Sequence, residues 1–247
     1  MRFAFALTIV AFGCAALAWH LASPTPASAL GALLLGWVAL SAAIVAAGYA
    51  GIGAKVFGKS SDGQRALWAR VLLLPYFTLV AFARWLQRTV TGERPFDEVA
   101  PGLYVGRLVP TRTLPRDVRL VVDLTAELTE PLQTRQSYEY RCLPTLDGMA
   151  PEESLLRELA EDLAGRPGPV YVHCAAGHGR AAMLAAVILL RRGLAEDVQA
   201  AEARMRARRP KVRMTRLQRR RAAAAARSPN GETGRYSPSP QRSSIDP

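Results

Sequence analysis

Charge is missing from the N-terminal part of this chain. Residues 3–54 contain no Asp, Glu, Lys or Arg, which excludes an ordinary solvated surface there. Cysteine is scarce: Cys14, Cys142 and Cys174 are the only three in 247 residues. An odd number without regular spacing excludes a disulfide framework and a paired-cysteine zinc module, and free thiols fit a reducing compartment. The stretch HCAAGHGR (173–180) lacks the Gly-Lys-Ser/Thr end of a nucleoside-triphosphate loop, and it carries only Gly177 and Gly179 where a dinucleotide fingerprint needs three glycines. Acid is missing between Arg204 and Arg221, where ten Lys/Arg occur within a chain of net charge +12. The excess charge is therefore mostly one basic patch on an otherwise nearly neutral protein. Such a patch suits an anionic lipid surface or a phosphorylated partner. Without interleaved aromatics or a recognisable module, nucleic acid is not the expected partner.

The uncharged region divides at SPTPAS (23–28) into FAFALTIVAFGCAALAWHLA (3–22) and a run from Ala29 to Ala54. Each has about the 20 residues that a helix needs to cross a hydrocarbon core, so residues 1–54 are expected to form a transmembrane hairpin. A cleaved signal peptide over 1–22 is the competing reading. Lys55, Lys59, Arg65 and Arg70 follow the second span, whereas the 23–28 turn is uncharged. The positive-inside rule then puts both ends, and the rest of the chain, in the cytoplasm. Residues 55–93 form a basic juxtamembrane segment. Within it, RALWARVLLLPYFTLVAFARWLQR (65–88) has too short an uncharged core to span, a central Pro75, and Trp68, Tyr76 and Trp85 among flanking basic residues. It reads as an interfacial or re-entrant helix pair. If it did cross, the C-terminal domain would face outward.

From residue 94 the pattern is that of a soluble α/β domain, ending near 226. GLYVG (102–106), VRLVVDL (118–124), YEYRCLP (138–144) and PVYVHC (169–174) are expected strands. Helices are expected over 151–165, 180–192, 194–208 and 214–226. The alternation predicts a mainly parallel sheet flanked by helices. Residues 227–247 are rich in Pro, Ser and Gly and are expected to be a disordered tail.

The chemistry concentrates in HCAAGHGR (173–180), between a strand and a helix. A loop at a helix N-terminus aims several backbone N–H groups at one point, where the helix dipole adds positive potential. Gly177 and Gly179 allow positive φ and close backbone approach to a ligand. Arg180 offers a planar fork that matches two phosphate oxygens. A field that favours an anion also favours a thiolate nucleophile at Cys174. An anion site and a nucleophile in one loop are the equipment for phosphoryl transfer to sulfur.

HCAAGHGR resembles the Cys-x5-Arg signature of the protein-tyrosine phosphatases, particularly their compact dual-specificity branch, over about residues 97–222. The resemblance implies that Cys174 is the nucleophile, that Ala175, Ala176, Gly177, His178, Gly179 and Arg180 form the phosphate-binding loop, and that His173 supports it. It implies neither metal nor organic cofactor. It also implies a separate aspartic acid as general acid and base, for which LPTLDGMAP (143–151) offers Asp147. RRPKVRMTRLQ (208–218) is similar to the family's Arg-Pro turn before a last helix. Ala181 departs from the family, which has Ser or Thr there to help sulfur leave. Hydrolysis of the phosphocysteine is therefore expected to be slow. His178, a basic residue within the loop, resembles phosphoinositide-directed relatives. The expected activity is phosphomonoester hydrolysis on a phosphorylated protein. Phosphoinositide or phosphatidylglycerophosphate hydrolysis at the membrane, and phosphate binding with little or no turnover, are the alternatives.

Overall fold

The computed structural model describes residues 2–21 and 26–227. Positions 23–25 of the expected turn and the tail from 228 onward lie outside the described residues. In chain order the elements begin with α1 (Arg2–Leu21), α2 (Pro26–Ala47), α3 (Leu67–Leu72) and α4 (Leu74–Val90), followed by β1 (Phe96–Ala100), β2 (Leu103–Arg107) and β3 (Leu120–Thr125). Then come α5 (Leu132–Ser137), β4 (Glu139–Thr145), α6 (Glu153–Gly165), β5 (Val170–Cys174), α7 (Arg180–Arg191), α8 (Val198–Arg208) and α9 (Arg216–Ala226). They fall into two compact units. One comprises residues 1–95, 108–114 and 120–147, and the other 96–107, 115–119 and 148–247.

In the first unit α1 packs on α2. Ala11, Ala39, Ala42 and Ala46 are buried while Phe5, Phe12, Trp19, Leu33 and Leu34 point outward. Small residues inside and large apolar residues outside invert the soluble pattern, and small contact residues let two helices approach closely in lipid. The run Ser28–Phe57, 30 residues containing an apolar window of mean hydropathy 2.2, is long and apolar enough to cross a membrane, and its backbone leaves helical geometry at Gly51, where φ is 150°; the apolar part of α1, Phe5–Leu21, is shorter. The expected helix pair over 65–88 is present as α3 and α4. Its break falls at Leu73, and Pro75 sits in the first turn of α4, where a missing N–H breaks no intrahelical bond. No residue of α4 is buried within the unit. Its Phe82 and Trp85 stack at 5.9 Å between ring centres.

The turn between α2 and α3 closes onto β3. Lys59 Nζ donates to Asp123 Oδ2 at 2.6 Å and to the carbonyls of Thr125 and Leu128, each at 2.7 Å. Tyr140 of β4 donates its hydroxyl to the same Asp123 oxygen at 2.9 Å. The Arg65 guanidinium lies 3.8 Å from the Phe77 ring centre. β3 and β4 run parallel.

In the second unit β1 pairs antiparallel with β2, and β2 pairs parallel with β5. Within the units, then, the parallel pairs are β2–β5 and β3–β4, and the mainly parallel α/β class expected from the sequence holds. β1 was not expected, because FDEVA carries two acids in five residues. Its burial alternates around exposed Glu98, and Asp97 is buried for a reason given below. Helix α7 is the hub of this unit. Residues from Arg180 to Leu189 are all buried, and α6, α8 and α9 pack around it. Leu156, Ala160 and Leu163 form the buried face of α6 at helical spacing. Helix α8 starts at 198, not 194, because Asp197 caps it by accepting the Ala200 N–H at 2.7 Å.

Candidate active site

The sequence 173–180 forms a tight loop from the end of β5 to the start of α7. Every residue of β5 is buried, which fixes where the loop begins. His173 is fully buried, with its ring centre 5.7 Å from that of Tyr171. Cys174 closes the strand with 3% exposure, and its Sγ accepts the Gly177 N–H at 3.2 Å. The loop thus turns a backbone donor back on the sulfur. Arg180 is the first residue of α7 and is 1% exposed.

The two loop glycines are needed for different reasons. Gly177 has φ of 76°, and a Cβ there would sit 2.5 Å from the carbonyl carbon and oxygen of Gly106 on β2. Its backbone freedom serves packing against β2 as well as the turn. Gly179 does not adopt positive φ; its value is −115°. A Cβ there would meet the Gln218 side-chain oxygen at 3.0 Å. The expectation that both glycines supply positive φ is therefore corrected for Gly179, which is small because a neighbouring amide occupies the space.

From outside, the loop is held by the segment before α9. The fully buried Arg209 donates through Nε to the Gly177 carbonyl at 3.0 Å and through one terminal nitrogen to the Ala176 carbonyl at 2.8 Å. Its other terminal nitrogen reaches Asp97 of β1 at 3.0 Å. The Arg213 N–H donates to the His178 carbonyl at 2.9 Å. Three successive loop carbonyls, at 176, 177 and 178, thus accept from the Arg209 guanidinium and the Arg213 backbone N–H.

Residues 111–231 match the family model described as Swiss Army Knife protein, DSP-PTPase phosphatase domain. The cysteine-dependent protein-tyrosine phosphatase superfamily is the family of this domain. Among solved structures, the active form of Tk-PTP is similar with 25% identity and a TM-score of 0.46, covering 51% of this chain and 92% of that one. PTPMT1 in complex with PI(5)P is similar with 17% identity and a TM-score of 0.47, covering 53% and 94%. Human DUSP28 is similar with 18% identity and a TM-score of 0.46, covering 53% and 93%. No curated protein matches significantly.

Elsewhere in the phosphatase domain, Asp147 lies in the exposed turn after β4, followed by Gly148 with φ of 71°. The basic patch of 204–221 is smaller than its composition suggests. Arg209 is consumed by the loop. Arg219 is paired with Glu202 at 2.7 Å, and Arg206 lies 3.6 Å from the same carboxylate. Arg204 donates to the Val99 carbonyl at 3.4 Å. Arg208, Lys211, Arg213, Arg216 and Arg220 are exposed. Reading the sequence missed Arg209 and Asp97 as a pair. The available signal was the Arg-Pro turn at 209–210, which the resemblance had singled out without showing the partner of its arginine.

Proposed function

We propose that this cysteine-dependent phosphatase is membrane-anchored and hydrolyses phosphomonoesters through a phosphocysteine intermediate. The observation that carries the reading is the loop itself: a buried cysteine sulfur accepting the Gly177 N–H, in a turn that leads straight into Arg180 at a helix N-terminus. Cys174 attacks phosphorus. The N–H groups of 175–180 and the Arg180 guanidinium stabilise charge on the equatorial oxygens. His173, buried beneath, supports the loop. Asp147 protonates the leaving oxygen and later deprotonates the water that cleaves the S–P bond. Residues 1–54 anchor the chain, 55–93 follow the membrane surface, and 94–226 form the catalytic domain at the cytoplasmic face.

The substrate is a phosphorylated protein or a phosphorylated lipid. The lipid reading is favoured by two observations. An apolar helix precedes the domain, and exposed Arg213 adjoins the loop through its own N–H on the His178 carbonyl. The deciding experiment uses the full chain in detergent micelles and in anionic vesicles. Phosphate release from nitrophenyl phosphate without added metal is expected for the wild type and not for Cys174→Ser. Turnover by Cys174→Ser would end the phosphocysteine reading. A folded wild-type protein that binds vanadate but releases no phosphate would point to a phosphate-recognition module. Phosphoinositide in vesicles, compared with phosphotyrosine and phosphoserine peptides, then separates the two substrate classes.

A further inference from the structure

The first turn of α9 does more than start a helix. Thr215 and Gln218 form a capping box: Thr215 Oγ1 accepts the Gln218 N–H at 3.2 Å, and Gln218 Oε1 accepts the Thr215 N–H at 2.9 Å. Such a box needs only an acceptor on each side chain. Here each side chain also donates. Thr215 Oγ1 donates to the Gly148 carbonyl at 3.1 Å, and Gln218 Nε2 donates to the Met149 carbonyl at 3.0 Å. Gly148 and Met149 are the two residues directly after Asp147. Gln218 is 1% exposed, and its amide oxygen would lie 3.0 Å from a Cβ built at Gly179, a tight contact. The same short segment also holds the His178 carbonyl through the Arg213 N–H. A glutamate at 218 would complete the capping box equally well but could not donate to Met149. The amide is thus chosen by the loop it holds rather than by the helix it caps.

From this we infer that Gln218, with Thr215, is a positioning residue for the general acid. It fixes the chain immediately after Asp147 and lies against the phosphate-binding loop, so one buried amide sets the acid's anchor relative to that loop. The inference rests on the proposed role of Asp147. In the step concerned, Cys174 sulfur forms the S–P bond as the P–O bond to the leaving group breaks, and the Asp147 carboxyl proton passes to the departing oxygen. A strongly basic alkoxide needs that proton, whereas nitrophenolate leaves readily without it. Misplacing an acid by about 1 Å can cost on the order of 100-fold, and the loss falls only where the proton is needed.

The test compares kcat/KM for an alkyl phosphate and for nitrophenyl phosphate, using the full chain. Gln218→Glu is expected to lower the alkyl value at least ~10-fold more than the aryl value. Any general weakening of phosphate binding by the new carboxylate cancels in that ratio. Gln218→Met, similar in volume and unable to donate, serves as the second variant should the first not fold, and should show the same split. In an Asp147→Asn background neither substitution should change the ratio further. Equal losses on both substrates, or a split that persists without Asp147, would overturn the inference. Two controls locate a failure elsewhere. Turnover by Cys174→Ser removes the phosphocysteine reading. An Asp147→Asn variant that does not distinguish the two leaving groups removes the acid assignment, and with it this inference.

Discussion

Lys59 and Arg209 are both buried cations, each held by one aspartate and two backbone carbonyls. Lys59 pairs with Asp123 at 2.6 Å across 64 positions, and Arg209 pairs with Asp97 at 3.0 Å across 112. Their settings differ. The carbonyls around Lys59 belong to Thr125 and Leu128, where β3 ends. Those around Arg209 belong to Ala176 and Gly177, inside the cysteine loop. The cation types fit these tasks. The compact ammonium of Lys59 gathers four oxygens, from Asp123, Leu128 and both the carbonyl and the hydroxyl of Thr125, whereas the planar guanidinium of Arg209 bridges a strand and a loop with fixed donor directions. The same physical device serves framework in one unit and the cysteine loop in the other.

Removing one partner of a buried pair costs about 3–5 kcal/mol, because the other charge is left uncompensated. Lys59→Met and Arg209→Met should therefore both lower the thermal midpoint, by ~10 °C at 2–4 °C per kcal/mol for a chain of this size. They should part company in activity. For Arg209→Met, kcat/KM toward nitrophenyl phosphate should fall about 100-fold, since the carbonyls of Ala176 and Gly177 lose the donor that fixes the loop. For Lys59→Met, the folded fraction should retain kcat/KM within about threefold of wild type. Adding Asp123→Asn to Lys59→Met should recover part of the stability by removing the orphaned charge. Equal kinetic losses in the two single variants would erase the distinction between framework and loop.

Much of this was legible in the sequence, and the exceptions share a cause. The four expected strands and the four helices after residue 150 are present within a few residues, because the strands are short runs of β-branched or aromatic residues and the helices are bounded by turn residues or show an apolar helical period. The cysteine loop was legible because its residue types serve no purpose in an ordinary turn. Strand β1 was not, because Asp97 is an inward-facing acid and looks like a surface residue until its partner 112 positions later is known. The roles of Lys59, Arg209 and Gln218 were hidden for the same reason. A single polar side chain has no periodicity, and its burial depends on a long-range partner that only the fold supplies. Gly179 shows the converse: its identity was legible, but the reason was not.

Ala181 sharpens the comparison inside the loop unit. It is fully buried directly after Arg180, at the position where the resemblance to the protein-tyrosine phosphatases implies a hydroxyl. Ala181→Ser adds one small donor without a large volume change. A hydrogen bond to a charged group contributes about 1.5–3 kcal/mol, which amounts to roughly 10- to 100-fold at a rate-limiting step. The expected result is faster breakdown of the phosphoenzyme and the disappearance of a pre-steady-state burst seen in the wild type. No burst in the wild type, together with no gain in the variant, would mean that sulfur leaves without that hydroxyl.

Glu202 provides the weakest contrast, since its partners are less enclosed than those of Asp97 and Asp123. Burial alone would raise its pKa. The Arg219 guanidinium and the Met214 N–H, with the charges of Arg219 and Arg206, outweigh that and hold it below the ordinary glutamate value of 4.5. A carboxyl with a depressed folded-state pKa contributes stability that is complete above 4.5 and is lost as pH falls through the folded value. The thermal midpoint should therefore decline between about pH 5 and pH 3, and part of that decline should be missing in Glu202→Gln. At neutral pH the variant should be less stable by about 1 kcal/mol, a shift of ~3 °C, and the two proteins should converge in acid. Unlike Arg209→Met, it should leave kcat/KM at neutral pH nearly unaltered, because Glu202 ties α8 to α9 and to the Met214 N–H without touching the cysteine loop. A loss of activity matching that of Arg209→Met would show instead that the whole α8–α9 connection, and not Arg209 alone, sets the loop.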